Sequence, residues 1–120
     1  MPALDKDVLF LLPPGFIDNG RREFCPECAE MWGLLSWYPA IREAVEIRYV
    51  GIDHPRAPIC ALLGEGRWNA PTLVLAADPK RQSEPDAAQA NGRQYFDSAR
   101  QIARYYAGQY GLPVPRGSAA

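Results

Sequence analysis

The chain lacks an excess of charge of either sign and has no long hydrophobic run. Its 120 residues carry 13 Lys and Arg against 14 Asp and Glu, a balance that favours neither a nucleic-acid backbone nor an anionic membrane as partner. No apolar run approaches the roughly 18 residues that a membrane span requires. The amino terminus lacks the basic and then apolar pattern of a secretory signal. We therefore expect a cytoplasmic protein that binds neither nucleic acid nor a membrane.

Cysteine and histidine are also scarce, with three cysteines and one histidine in the chain. An odd number of cysteines is a poor basis for a structural disulfide framework in a protein expected in the cytoplasm. One close pair with a third bystander instead fits redox or metal chemistry. The apolar fraction of 48% and the charged fraction of 22% exclude disordered and collagen-like chains.

The pattern of apolar runs and turn residues predicts one α/β domain over residues 1–120, with a core over about 7–111 and a loose tail over 112–120. Strands are predicted at 8–12, 45–53, 72–76 and 94–96, and helices at 28–38, 55–63 and 98–111. The first strand, the first helix and the second strand predict parallel pairing through a crossover. Segments 13–24 and 78–93 are predicted as connecting loops.

The last helix has a recognisable start, end and apolar face. Ser98 and Gln101 form a capping-box pattern at its start, and Gly111 is expected to end it. Its apolar face is predicted to consist of Ala99, Ile102, Ala103, Tyr106 and Tyr110.

The motif Cys25-Pro26-Glu27-Cys28 is the main candidate for catalytic chemistry. A sulfur at the start of a helix lies beside unpaired backbone N–H groups, and the positive end of the helix dipole favours thiolate over thiol. We therefore expect Cys25 to be the attacking nucleophile of a thiol–disulfide oxidoreductase and Cys28 to resolve the mixed disulfide. Glu27 places a carboxylate near the developing thiolate and is expected to oppose it.

Other interpretations of the pair stay open. The two cysteines could form half of a zinc site with His54 and Cys60, although that spacing is not typical of zinc fingers, and they could equally be inert core residues. A non-catalytic binding module is a further alternative. Trp68 is the best aromatic candidate to line a substrate groove, and we predict no metal.

The order of these motifs, from the first strand through Cys25-Pro26-Glu27-Cys28 to Ala70-Pro71-Thr72 and the closing helix, resembles the thioredoxin superfamily from Val8 to about Gly111. The segment 96–106 looks like glutaredoxins and the amino-terminal domains of glutathione transferases. The Pro-Gly-Phe loop, the Cys-x-x-Cys pair and the Gly-Leu-Pro ending also resemble an uncharacterised bacterial family of thioredoxin-like proteins.

The resemblance implies a thioredoxin-like fold, in which a four-stranded mixed sheet in the order strand, helix, strand, helix, strand, strand, helix carries helices on both faces. It implies that Pro71 is cis and faces Cys25, and that Ala70 offers its backbone to a peptide or glutathione cysteine. Asp97 and Ser98 align with the pair that holds the γ-glutamyl end of glutathione, while Ser98 could equally serve as a helix cap. The partner is expected to be glutathione or a protein disulfide, with glutathione as a co-substrate and no permanently bound cofactor.

Overall fold

The main structural element of the protein, seen in a computed structural model, is a five-stranded mixed sheet. The structure describes residues 4–78 and 86–117. The strands are β1 (Asp7–Leu11), β2 (Phe16–Asp18), β3 (Arg21–Glu23), β4 (Val45–Tyr49), β5 (Thr72–Val74), β6 (Ala88–Ala90) and β7 (Arg93–Phe96). The helices are α1 (Pro26–Trp37), α2 (Pro39–Ala44), α3 (Ala57–Leu63) and α4 (Ala99–Tyr110).

Strand β1 lies inside the sheet, and all five of its residues are buried. The strand order is β4-β1-β5-β7-β6, with β1 parallel to β4 and antiparallel to β5. Leu9 is level with Ile47 on one side and with Leu73 on the other. A strand that has neighbours on both sides and is buried on both faces consists of apolar residues almost throughout. The predicted α/β class and the parallel pairing of β1 with β4 are confirmed.

The prediction of four strands is wrong, because two hairpins add strands in segments expected to be loops. The connection at 13–24 contains β2 and β3, which pair through Asn19 and Gly20. Strand β6 pairs with β7 through Asn91 and Gly92. Their φ values are 53° and 71° in the first turn and 52° and 73° in the second, and Asn-Gly is the pair that adopts such a turn most readily.

The predicted loop at 78–93 is therefore correct only in part. Residues 79–85 lie outside the described residues, whereas 88–90 form the edge strand β6. The strand is only three residues long and carries alanine at both ends, so its alternation is too short to be recognised from the sequence.

Helix α4 begins and ends as predicted but presents a different face to the core. Ser98 Oγ accepts a hydrogen bond from the Gln101 N–H at 3.2 Å, and Gly111 ends the helix at a φ of 67°. Tyr110 is 44% exposed, so its predicted place in the core is wrong. Tyr105 is buried instead, because its ring packs on Phe96 of β7 at a centroid distance of 5.2 Å.

Pro39 divides the segment after the cysteine pair into two helices. Helix α1 ends at Trp37 and α2 begins at Pro39. The first position of a helix suits proline, because the N–H that proline lacks would have no partner within the helix there. Helix α1 packs against both α2 and α4. Within the described ranges, no helix combines the length and the apolar character needed to cross a membrane.

Candidate functional site

Cys25 lies directly before α1 and caps its first turn. Its backbone is extended, with φ −81° and ψ 115°, and its Sγ accepts a hydrogen bond from the Cys28 N–H at 3.2 Å. Pro26 occupies the first helical position, where its missing N–H leaves nothing unpaired. A backbone donor at a helix N-terminus stabilises negative charge that develops on the atom it faces. Exchange chemistry at Cys25 would develop such charge on this sulfur.

Cys28 lies one turn further into the helix and is buried, with 4% of its surface exposed. The Leu12 N–H, just after β1, donates to its Sγ at 3.4 Å. Burial, followed by the hydrogen bond with the Cys25 side chain, raises the pKa of Cys28 to about 12, although the bond from Leu12 acts in the opposite direction. Cys28 therefore keeps its proton at neutral pH, while Cys25 is half-buried. Both thiols are free.

An apolar cleft of about 350 Å³ opens beside the two thiols. It is lined by both cysteines and by Leu12, Pro13, Pro14, Phe24, Ala29 and Trp32, and we call it the aromatic cleft. Phe24 is 62% exposed and Trp32 is 37% exposed. Exposed aromatic side chains that lie together are typical of contact surfaces. A partner that approaches Cys25 from this side therefore meets apolar side chains.

Glu27 connects the cysteine pair to the start of α4. Its Oε1 accepts a hydrogen bond from the Ala99 N–H at 3.1 Å, while Ser98 Oγ accepts one from the Gln101 N–H at 3.2 Å. Two of the amides that a helix N-terminus leaves unpaired are thus bound by side chains of the same chain. The charge of Glu27 is also a minor cause of the raised pKa of Cys28.

The loop before β5 is held to the segment that precedes α4. Its Ala70–Pro71 peptide bond is cis, as the resemblance implied, and Pro71 is buried. The Asn69 Nδ2 donates to the carbonyl oxygen of Asp97 at 2.7 Å, and the Thr72 hydroxyl donates to the carbonyl of Asn69 at 2.6 Å. That Pro71 faces Cys25 stays a prediction.

A second pocket, also of about 350 Å³, lies beside this loop. Trp68, Ala70 and Asp97, all expected to bind substrate, line it together with His54 and Arg56. The guanidinium of Arg56 donates to the carbonyl oxygens of Gly51 at 2.8 Å and Trp68 at 2.9 Å. The structure thus brings Trp68, Ala70 and Asp97 into one pocket, whereas both cysteines line the aromatic cleft and Ser98 caps α4.

The residues required by the zinc alternative make other contacts. The His54 ring lies against Trp68 at a centroid distance of 5.1 Å, and the Cys60 thiol donates to the carbonyl of Arg67 at 3.7 Å. Among residues 4–78 and 86–117, no group of three or more His, Cys, Asp or Glu side chains is placed to hold a metal ion.

Sequence reasoning missed two residues of this region. Phe24 lies in the predicted connection 13–24, but an aromatic residue immediately before the first cysteine of the pair could have indicated a contact surface. Arg56 gives no sequence signal, because its two carbonyl partners lie 5 and 12 residues away and are recognised only in the folded chain.

A family model described as "Protein of unknown function (DUF3088)" matches residues 6–114, which include every site residue discussed above. No curated protein and no solved structure matches the chain.

Proposed function

The chain belongs to the DUF3088 family of proteins of unknown function, and we propose that it is a thiol–disulfide oxidoreductase in which Cys25 attacks and Cys28 resolves. The observation that carries the proposal is the 3.2 Å hydrogen bond from the Cys28 N–H to the Cys25 Sγ at the start of α1. It links the Cys25 sulfur to the backbone of Cys28 within the first turn of α1, with the Cys25 side chain half-buried and the Cys28 side chain buried. This asymmetry is what an attacking and a resolving thiol require.

The proposed reaction has two exchange steps. The Cys25 thiolate attacks one sulfur of a substrate disulfide; its S–S bond breaks, a mixed disulfide forms, and the first substrate thiolate leaves and takes up a proton. Cys28 then loses its proton and attacks the Cys25 sulfur, which forms the Cys25–Cys28 disulfide and releases the second substrate thiol. Two electrons pass from the cysteine pair to the substrate. A low-molecular-weight thiol or a protein dithiol then reduces the pair.

A thioredoxin-like arrangement is part of the proposal. The expected succession of strand, helix, strand, helix, strand, strand and helix corresponds to β1, α1, β4, α3, β5, β7 and α4. The hairpin β2–β3, the helix α2 and the edge strand β6 are then additions to that succession.

The proposed partners are glutathione or a protein disulfide, in the cytoplasm. A reducing compartment keeps dithiols available for exchange, and the near balance of 13 basic against 14 acidic residues gives no reason to expect nucleic acid or a membrane instead.

The intact mass of the protein after equilibration with reduced and oxidised glutathione tests the proposal. Formation of the Cys25–Cys28 disulfide lowers the mass by the two hydrogens of the thiols, whereas a glutathione adduct raises it. Absence of both products across the whole range of buffers would refute the proposal.

Single substitutions assign the roles of the two thiols. Cys25→Ser should abolish turnover, and Cys28→Ser should trap mixed disulfides at Cys25. Cys60→Ser is the matched control and should leave the exchange unchanged, because its thiol bonds to Arg67 rather than to the pair. Trapping at Cys28 in the Cys25→Ser protein would reverse the assignment.

A non-catalytic peptide-binding module is the second candidate, and the pocket of Trp68, Ala70 and Asp97 favours it. In that case Cys25 would alkylate no faster than the thiol of an unfolded cysteine peptide at pH 7. Faster alkylation of Cys25, lost in Cys25→Ser, would favour the oxidoreductase.

A further inference from the structure

The start of α4 already holds a carboxylate. Helix N-termini attract anions, because their unpaired N–H groups and the helix dipole both favour negative charge. Here the Ala99 N–H donates to Glu27 at 3.1 Å, and Asp97 adds another exposed carboxylate two residues earlier. A partner that brought its own carboxylate to the Ala99 N–H would have to displace Glu27 and would stay close to its charge. The α4 side of Cys25 therefore disfavours an anionic partner.

The aromatic cleft favours an apolar partner at Cys25. It is lined by Phe24 and Trp32, both partly exposed. An apolar side chain next to the reacting cysteine of a substrate would cover these rings and remove apolar surface from water. Because Cys25 itself lines the cleft, the mixed disulfide would hold the residue beside the substrate cysteine within reach of it.

Taking the proposed function as its basis, we propose that Glu27 is a specificity-determining residue that disfavours small anionic disulfides, and that the substrate is a peptide or protein disulfide with an apolar residue beside the reacting cysteine. Oxidised glutathione, which carries several carboxylates, is then a poor oxidant of the pair. The chemistry at sulfur is unchanged: Cys25 attacks the peptide disulfide, one peptide thiolate leaves with a proton, and Cys28 releases the other.

Three disulfides test the two proposed properties of the site, which are the exclusion of anionic partners by Glu27 and the binding of an apolar residue by the aromatic cleft. They are oxidised glutathione and two short peptide disulfides of identical sequence except for the residue beside cysteine, which is Leu in one and Glu in the other. The rate at which each oxidises the reduced protein is measured by quenching with acid and determining the mass. The wild-type protein should react with the Leu peptide about tenfold faster than with oxidised glutathione, since one charge repulsion near a protein surface is of that size.

Glu27→Gln is the informative variant, and Glu30→Gln is its matched control. Glu30 lies one turn further along α1 and pairs with Arg100 at 3.3 Å, so its replacement also removes one negative charge from the same helix. Glu27→Gln should raise the rate with oxidised glutathione relative to that with the Leu peptide by about tenfold. Glu30→Gln should leave this ratio within about twofold of the wild-type value. Using a ratio removes any general effect of Glu27 on the reactivity of Cys25.

A second pair of variants tests the aromatic cleft. Trp32→Ala should slow the reaction with the Leu peptide more than that with oxidised glutathione, so that the ratio of the two rates falls. Trp37→Ala, on the same helix but outside the cleft and 79% exposed, should alter neither rate.

The outcomes separate the specificity of the site from its activity. If the wild-type protein reacts faster with oxidised glutathione than with the Leu peptide, the specificity inference is overturned and exchange at Cys25 stands. It is also overturned if Glu27→Gln and Glu30→Gln shift the ratio alike. If none of the three disulfides oxidises the pair, the proposed function itself fails. The wild-type ratio decides the question even if a variant does not fold.

Discussion

The hydroxyl of Tyr106 donates a hydrogen bond of 2.7 Å to Oδ2 of Asp7, and the two residues, 99 positions apart in the chain, are both buried. The other carboxylate oxygen of Asp7 accepts from the Ala76 N–H at 2.8 Å. The bonds link the start of β1 to α4 and to the chain just after β5. Burial, followed by the nearby charge of Asp7, raises the pKa of Tyr106 well above its ordinary value.

Replacement of Tyr106 by Phe should lower the free energy of unfolding by about 1–3 kcal/mol, because the buried carboxylate of Asp7 loses a donor while the ring remains. Urea denaturation of both proteins measures the difference. Tyr110→Phe is the matched control; Tyr110 stacks on Tyr106 at 6.0 Å but is 44% exposed, and its change should stay within about 0.5 kcal/mol. Equal losses in the two variants would contradict the proposed importance of the Asp7 bond.

The stability of the reduced protein should decline in alkaline solution through Cys28. Its pKa is about 12 in the folded protein against an ordinary 9.0, so between these values the unfolded chain loses its proton first. The contribution of Cys28 to the free energy of unfolding is therefore constant well below pH 9 and falls as pH rises above it, by at most about 1.4 kcal/mol per pH unit.

Cys28→Ala isolates this effect, since it removes the thiol but keeps the contribution of Tyr106. The stability advantage of the wild-type protein over Cys28→Ala should shrink between pH 9 and pH 11 in urea titrations. A constant difference from Cys28→Ala would show that the folded protein does not raise the pKa of Cys28.

Removal of the cap of α4 should cost stability. Ser98→Ala loses the hydrogen bond from the Gln101 N–H, and the free energy of unfolding should fall by about 1 kcal/mol, as at other helix caps. Ser98→Asp keeps an acceptor and should restore most of the loss. Ser36→Ala, at an exposed position inside α1, is the control that should remain within about 0.5 kcal/mol in thermal or urea unfolding. A neutral Ser98→Ala would leave substrate binding as the better explanation for this serine.

Two glycine-to-alanine substitutions should act in opposite directions. Gly33 lies inside α1 with nothing within 4 Å of an added Cβ, so Gly33→Ala should raise the free energy of unfolding by about 0.5–1 kcal/mol. Gly92 has a φ of 73° in the turn between β6 and β7, where alanine is strained, and Gly92→Ala should lower it by about 1 kcal/mol. Urea unfolding of both variants measures the signs; stabilisation by Gly92→Ala would argue against this turn.

Much of the fold follows from patterns that are local in sequence. The apolar run of β1, the succession that leads to β4 and the cap of α4 at Ser98 are each recognised within a few residues. The two Asn-Gly turns were equally readable, but their flanking strands of three or four residues are too short to alternate visibly. Tyr105 and Tyr110 show the limit of periodicity, because which of them is buried depends on where Phe96 lies.

The candidate site, like the fold, follows only in part from local sequence patterns. The order of Cys25 and Cys28 along a helix start predicted an outer and an inner thiol, and their burial agrees with it. The bond between Glu27 and Ala99 joins residues 72 positions apart and depends on how α1 and α4 pack, which no local pattern contains. The sequence therefore suggested that Glu27 opposes the thiolate but not which backbone group it binds.

Cys25 is both a helix cap and the proposed reacting atom, so the chemistry of its sulfur is coupled to the order of a helix end. A sulfur in a mixed disulfide is uncharged and is a poorer acceptor for the Cys28 N–H than a thiolate. In the Cys28→Ser variant, we expect the backbone amide of residue 28 to exchange its hydrogen faster in the trapped mixed disulfide than in the reduced protein. A partner bound covalently through Cys25 would then loosen the helical turn that buries the thiol of Cys28. The looser turn would give this thiol easier access to the mixed disulfide, which would therefore have a shorter lifetime.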